Sequence, residues 1–148
     1  MIEERYCSYE VSNLLQEKGF NQECFAKYAK ETCTEKYYDD YRERMISWTI
    51  KPGELIIPSI DRDRYEIYGT VISAPTHQMA CDWMIEAHHI CITIYPNKEK
   101  GFEAVLYDIE SDVEITLQSF GVFGYHIFES SYGKAVEVAL KYVLENLI

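Results

Sequence analysis

The sequence predicts an α+β fold: a two-layer sandwich in which a three-stranded antiparallel sheet is covered on one face by two helices, in the order α-β-β-β-α, with an extra N-terminal helix. Two segments carry apolar residues at spacings of three and four: Met79, Ala80, Trp83, Met84 and Ala87, then Ala135, Val136, Ala139, Leu140, Val143, Leu144 and Leu147. Between them, Ile90, Ile92 and Ile94, and later Val113, Ile115 and Leu117, alternate with other residues at a spacing of two. A sheet with one apolar face needs a cover, and two helices on one side supply it.

The elements follow in order. Ser8 predicts the cap of a short helix from about Tyr9 to Lys18, because its hydroxyl accepts from a free amide of the first turn. Val11, Leu14 and Leu15 form its stripe, and Gly19 supplies a left-handed stop against which Phe20 packs back. The helix is expected at the edge of the sandwich. Asn21 suggests a second short helix to about Glu31, with Phe25, Tyr28 and Ala29 on one side. Residues Cys33–Ala74 are expected to be irregular or weakly structured within a single domain spanning residues 1–148, with a turn at Lys51-Pro52-Gly53 and short strands at Glu54–Ile57 and Tyr65–Ile72.

Ala74-Pro75-Thr76 starts the next helix, capped by Thr76 and ending near Ala87. Strands are expected at Ile90–Tyr95, Phe102–Ile109 and Val113–Phe120. A last helix runs from about Tyr132 to Asn146, capped by Ser130 or Ser131.

Bulk properties narrow the function. The chain has 148 residues and a net charge of −11, from 25 acidic and 14 basic side chains. That balance opposes phosphate backbones, whose binding depends on Lys and Arg displacing counterions, so no nucleic-acid partner is expected. The apolar runs are too short for a membrane span. Cys7, Cys24, Cys33, Cys81 and Cys91 are odd in number and form no CxxC pair, which argues against a disulfide framework and the common zinc spacings. The start Met1-Ile2-Glu3-Glu4-Arg5 lacks the apolar core of a secretory leader, so a reducing cytoplasm is the expected home.

Three phrases carry a resemblance: Ser8-Tyr9-Glu10-Val11 with Leu14-Leu15 and Lys18-Gly19-Phe20; Ala74-Pro75-Thr76-His77-Gln78-Met79-Ala80 with Trp83; and Ala135…Ala139-Leu140-Lys141-Tyr142…Leu144-Glu145-Asn146-Leu147. Together they are similar to small uncharacterised proteins of prophages and other mobile elements of gut bacteria. The resemblance implies an accessory protein with no assigned activity. The order from Pro75 to Ile148 also resembles the topology of the double-stranded-RNA-binding domain. It lacks that family's basic residues: where its lysine cluster would stand, Ser131-Tyr132-Gly133-Lys134-Ala135 carries one lysine beside Glu129 and Glu137.

The chemistry-bearing residues are few. His77 and Cys81 stand one helical turn apart and are candidates for a metal pair or a base–nucleophile pair. His88 shares their face but lies about 16 Å along the axis, too far to join the same ion. A metal would need two more ligands that no spacing marks, so neither metal nor cofactor is expected and no catalytic residue is assigned. His88-His89 reads as a helix-end cap. The 13 tyrosines are unusual, and Tyr37, Tyr38 and Tyr41 cluster near Trp48. These four residues are the expected contact surface for a protein partner, since such rings combine apolar area with a polar tip. A non-enzymatic accessory protein acting by protein–protein interaction is therefore the leading expectation. The alternatives are an acidic nucleic-acid mimic that inhibits a host DNA-binding protein, or a small enzyme with an unrecognised site around His77 or His126.

Overall fold

The computed structural model describes residues 5–58, 64–115 and 127–148. The chain forms two compact units: residues 1–20 with 76–148, and residues 21–75 between them.

Among the described residues, the first unit contains all three helices. Helix α1 (Tyr9–Glu17) begins at Ser8, whose side chain accepts from the Val11 amide. It ends as the sequence predicts: Gly19 takes φ +100°, and the Gly19 and Phe20 amides donate back to the carbonyls of Gln16 and Leu15. Its buried face, Val11, Ser12 and Leu15, packs on α3.

Helix α2 (His77–His88) is capped by Thr76, whose hydroxyl accepts from the Met79 amide. Helix α3 (Tyr132–Asn146) is capped by Ser131. In α3 the predicted stripe is buried from Ala135 to Leu144. In α2 the stripe is rotated: Ala80, Trp83 and Met84 are buried, Ala87 is exposed, and His77 joins the buried face.

Numbered in chain order, the first unit's strands are β7 (Ile90–Asn97), β8 (Gly101–Asp108), β9 (Val113–Glu114) and β10 (Ile127–Glu129). They form one antiparallel sheet in the order β10-β8-β7, with β9 also paired to β8. The register sets Ile92 opposite Leu106 and Ile94 opposite Ala104, so the alternating isoleucines share a face with the buried positions of β8. Both α2 and α3 contact strands of this sheet.

The expected fold is thereby corrected. The protein is α+β, but not a single three-stranded sheet covered by two helices: its described residues form ten strands in three sheets. Of the expected strand Val113–Phe120, only Val113–Glu114 is a strand among the described residues, and residues 116–120 lie outside them. The fourth strand, β10, was not anticipated.

The second unit holds the remaining six strands. One sheet, β4-β1-β6, joins β4 (Leu55–Ile56), β1 (Lys27–Ala29) and β6 (Val71–Ser73). The other, β3-β2-β5, joins β3 (Arg44–Ile50), β2 (Cys33–Asp39) and β5 (Glu66–Tyr68). The helix expected at Asn21–Glu31 is absent. Burial there alternates, with Cys24, Ala26 and Tyr28 inside and Phe25 outside, which is the period of extended chain and not of a helix. Cys33–Ala74, expected to be irregular or weakly structured, carries five strands among its described residues, and Ala29, Cys33, Ile50 and Ile56 form a core with Ile67 and Val71 against it.

Candidate functional site

The chemistry of the first unit gathers at the start of α2. Thr76 caps that helix and forms an antiparallel bridge with Tyr6, which draws the segment before α1 alongside it. Cys7, fully buried, consequently lies with its Sγ 3.9 Å from the Thr76 carbonyl oxygen. The next residue, Ser8, donates its amide to Oε1 of Glu137 at 2.8 Å. The ring of His77, on the first residue of α2, brings Nε2 to 2.9 Å from the same oxygen. Glu137 stands in the second turn of α3 beside the buried Ala135 and Val136, so the burial of that stripe carries its carboxylate inward.

The outcome is a cluster of Cys7, His77 and Glu137 in which one donor atom from each lies within 4.8 Å of the others. The three come from separate segments: the approach to α1, the start of α2 and the body of α3. His77 is only 8% exposed.

His77 also lines a cavity of about 730 Å³ with Arg5, Gln78, Cys81, Asp82 and Tyr132 among its walls. The sequence pairs His77 with Cys81, and both do face this space. The hydrogen-bond partner of His77, however, is Glu137, 60 positions away. Burial, followed by the nearby Asp82 and Cys91, pushes the Cys81 thiol up to about 11. A thiol held protonated near neutral pH is a poor nucleophile.

His88 and His89 separate in role. His89 is the left-handed C-cap of α2 at φ 57°. His88 lies edge-on to Trp83 with ring centroids 4.8 Å apart. His126 lies outside the described residues. Cys7 and Glu137 escaped the sequence reading because no local spacing marks them; the only signal is a carboxylate bordering the apolar stripe of α3.

In the second unit the predicted aromatic group is split by the pleat of the β2–β3 hairpin. Tyr37 and Trp48 share one face, with ring centroids 5.2 Å apart. Tyr38, opposite Met45, points to the other face. Tyr41 sits in the connecting turn and is 97% exposed. There the Asp39 carboxylate accepts from the amides of Tyr41 and Arg42. Tyr37 is buried, whereas Trp48 is 41% exposed and donates its indole N–H to Glu35. The exposed members are joined by Met45 and by Tyr68 of β5.

Strand β3 forms one edge of its sheet, and no strand pairs with its outer side among the described residues. Compared with known proteins, the chain matches no family model, no curated protein and no solved structure.

Proposed function

We propose that the protein is a non-enzymatic accessory protein of a phage or other mobile element and acts by binding another protein through the β2–β3–β5 sheet. The observation that carries this is the edge strand β3. It is seven residues long and contains no proline, and Met45 and Trp48 stand exposed on its two faces. An exposed edge of this length is a template for pairing with a further strand, and proteins ordinarily blunt such edges with proline, bulges or internal charge. In Arg44–Ile50 the one charge is Arg44, at its beginning. A partner segment adding alongside β3 would take main-chain hydrogen bonds from the edge and side-chain contacts from Trp48 and Met45. Tyr41, in the turn that leads into β3, lies at one end of this edge. The likeness of the three helical phrases to mobile-element proteins supports the accessory role.

The test is affinity capture from a lysate of the source organism with the wild-type chain and three variants of matched thermal stability. Met45→Lys and Trp48→Glu are expected to lose a protein that the wild type retains, while Phe25→Ser, which removes an exposed ring outside this sheet, retains it. Equal recovery by all four would overturn the reading.

A further inference from the structure

We infer that Cys7, His77 and Glu137 bind a zinc ion, with its fourth coordination position directed toward the cavity that His77 lines. The inference stands apart from the proposed partner surface, which lies in the other unit.

The donor set is the first argument. A thiolate, an imidazole and a carboxylate are the ligand types that zinc takes, and the soft thiolate and borderline imidazole disfavour calcium and magnesium, which prefer all-oxygen shells. Spacing is the second. Zinc–ligand bonds of about 2.0–2.3 Å in a tetrahedron place neighbouring donors roughly 3.3–3.8 Å apart. The three donor atoms lie within 4.8 Å of one another, so the widest pair has at most about 1 Å to close, and the His77–Glu137 contact at 2.9 Å has a few tenths of an ångström to open.

Charge is the third. A Cys7 thiolate and a Glu137 carboxylate together neutralise a divalent ion, so the complex carries no net charge into a site where Cys7 is wholly buried. On binding, the Cys7 thiol gives its proton to solvent and a ring nitrogen of His77 offers its lone pair. The Ser8 amide, 2.8 Å from Glu137 Oε1, continues to orient the carboxylate in the manner of an outer-shell partner. Three ligands from three chain segments leave one position open. His77 forms part of the cavity wall, and that side offers space for a water molecule or another small Lewis base.

The experiment uses the full chain, stripped with chelator and titrated with Zn²⁺ alone. One ion per chain is expected, with a rise in Tm that excess chelator reverses. Zinc-edge X-ray absorption of the loaded wild-type protein is expected to report one sulfur near 2.3 Å and nitrogen or oxygen scatterers near 2.0–2.1 Å. This readout needs no variant, so it stands even if substitutions at these buried positions unfold the chain. Cys7→Ser, His77→Ala and Glu137→Ala are expected to weaken binding by about 10–100-fold or more. Cys81→Ser and a His88→Ala/His89→Ala double variant are expected to leave it unchanged. Absence of stoichiometric binding, a shell without sulfur or with two, or loss of binding in the Cys81 or His88/His89 variants would overturn the assignment.

Discussion

Nε2 of His77 and Oε1 of Glu137 lie 2.9 Å apart across 60 positions of sequence, and the same oxygen receives the Ser8 amide at 2.8 Å. One carboxylate oxygen thus ties the starts of α1 and α2 to the body of α3. Replacing Glu137 by Ala leaves a partly buried amide and imidazole without their acceptor. In metal-free protein, this substitution is expected to lower the unfolding free energy by about 2–3 kcal/mol, against roughly 1 for Glu137→Gln, which keeps an acceptor. Urea unfolding with a shared m-value checks the difference.

Ser12 presents the opposite case. Its side chain is 2% exposed on the face of α1 that packs on α3, and its hydroxyl has no hydrogen-bond partner among the described residues. A buried, unsatisfied hydroxyl opposes folding. Ser12→Ala is expected to raise stability by about 1 kcal/mol, measured as an upward shift of the urea midpoint.

Cys81 connects stability to alkaline pH. Its folded-state pKa of about 11 lies above the ordinary value of 9.0. The unfolded chain therefore loses this proton first as pH rises, and the thiol's contribution is whole below about pH 9 and fades toward pH 11. Wild-type stability is expected to fall over that window by up to about 2 kcal/mol more than that of Cys81→Ser. Alkylation mapped by mass spectrometry is expected to find Cys81 slow at pH 8, where about one thiol in a thousand is ionised, and about tenfold faster per pH unit toward pH 11.

Two glycines separate backbone strain from collision. Gly19 and Gly101 have φ of +100° and +93°, yet a Cβ on Gly19 would meet nothing within 4 Å, while one on Gly101 would fall 2.5 Å from the Glu129 carbonyl oxygen. Gly19→Ala is expected to cost about 1 kcal/mol, from conformation alone. Gly101→Ala is expected to cost at least about 1 kcal/mol more, because β10 must move away from the start of β8. Paired thermal melts of the two variants check the order.

These relationships explain what could and could not be read from the sequence. The caps Ser8, Thr76 and Ser131 were legible because a cap hydroxyl acts on an amide three residues away. The α3 stripe and the alternation of Ile90, Ile92 and Ile94 were legible for the same local reason. Phe25, Tyr28 and Ala29 misled because they satisfy a helical spacing, and only pairing of Tyr28 with Leu55 and Ile72 decides the matter. His77 was singled out, but its partners Cys7 and Glu137 were not. Their meeting depends on the Tyr6–Thr76 bridge and on the packing of α1 and α3, neither of which leaves a local pattern. The tyrosine group was legible as composition, while its division between two faces required the register of β2 against β3.

The chain leaves the first unit after Phe20 and rejoins it at Thr76, so the intervening stretch, residues 21–75, is an internal guest whose host is closed by contacts made on both sides of it. The entropy lost in closing such a loop grows only logarithmically with its length, so the host is nearly indifferent to how long the guest is. The strand-rich insert can therefore be shortened or lengthened at little entropic cost to the contacts of Ser8 and His77 with Glu137. Replacing residues 21–75 by a short Gly-Ser linker is expected to leave a cooperatively melting remnant of helices packed on the β10-β8-β7 sheet.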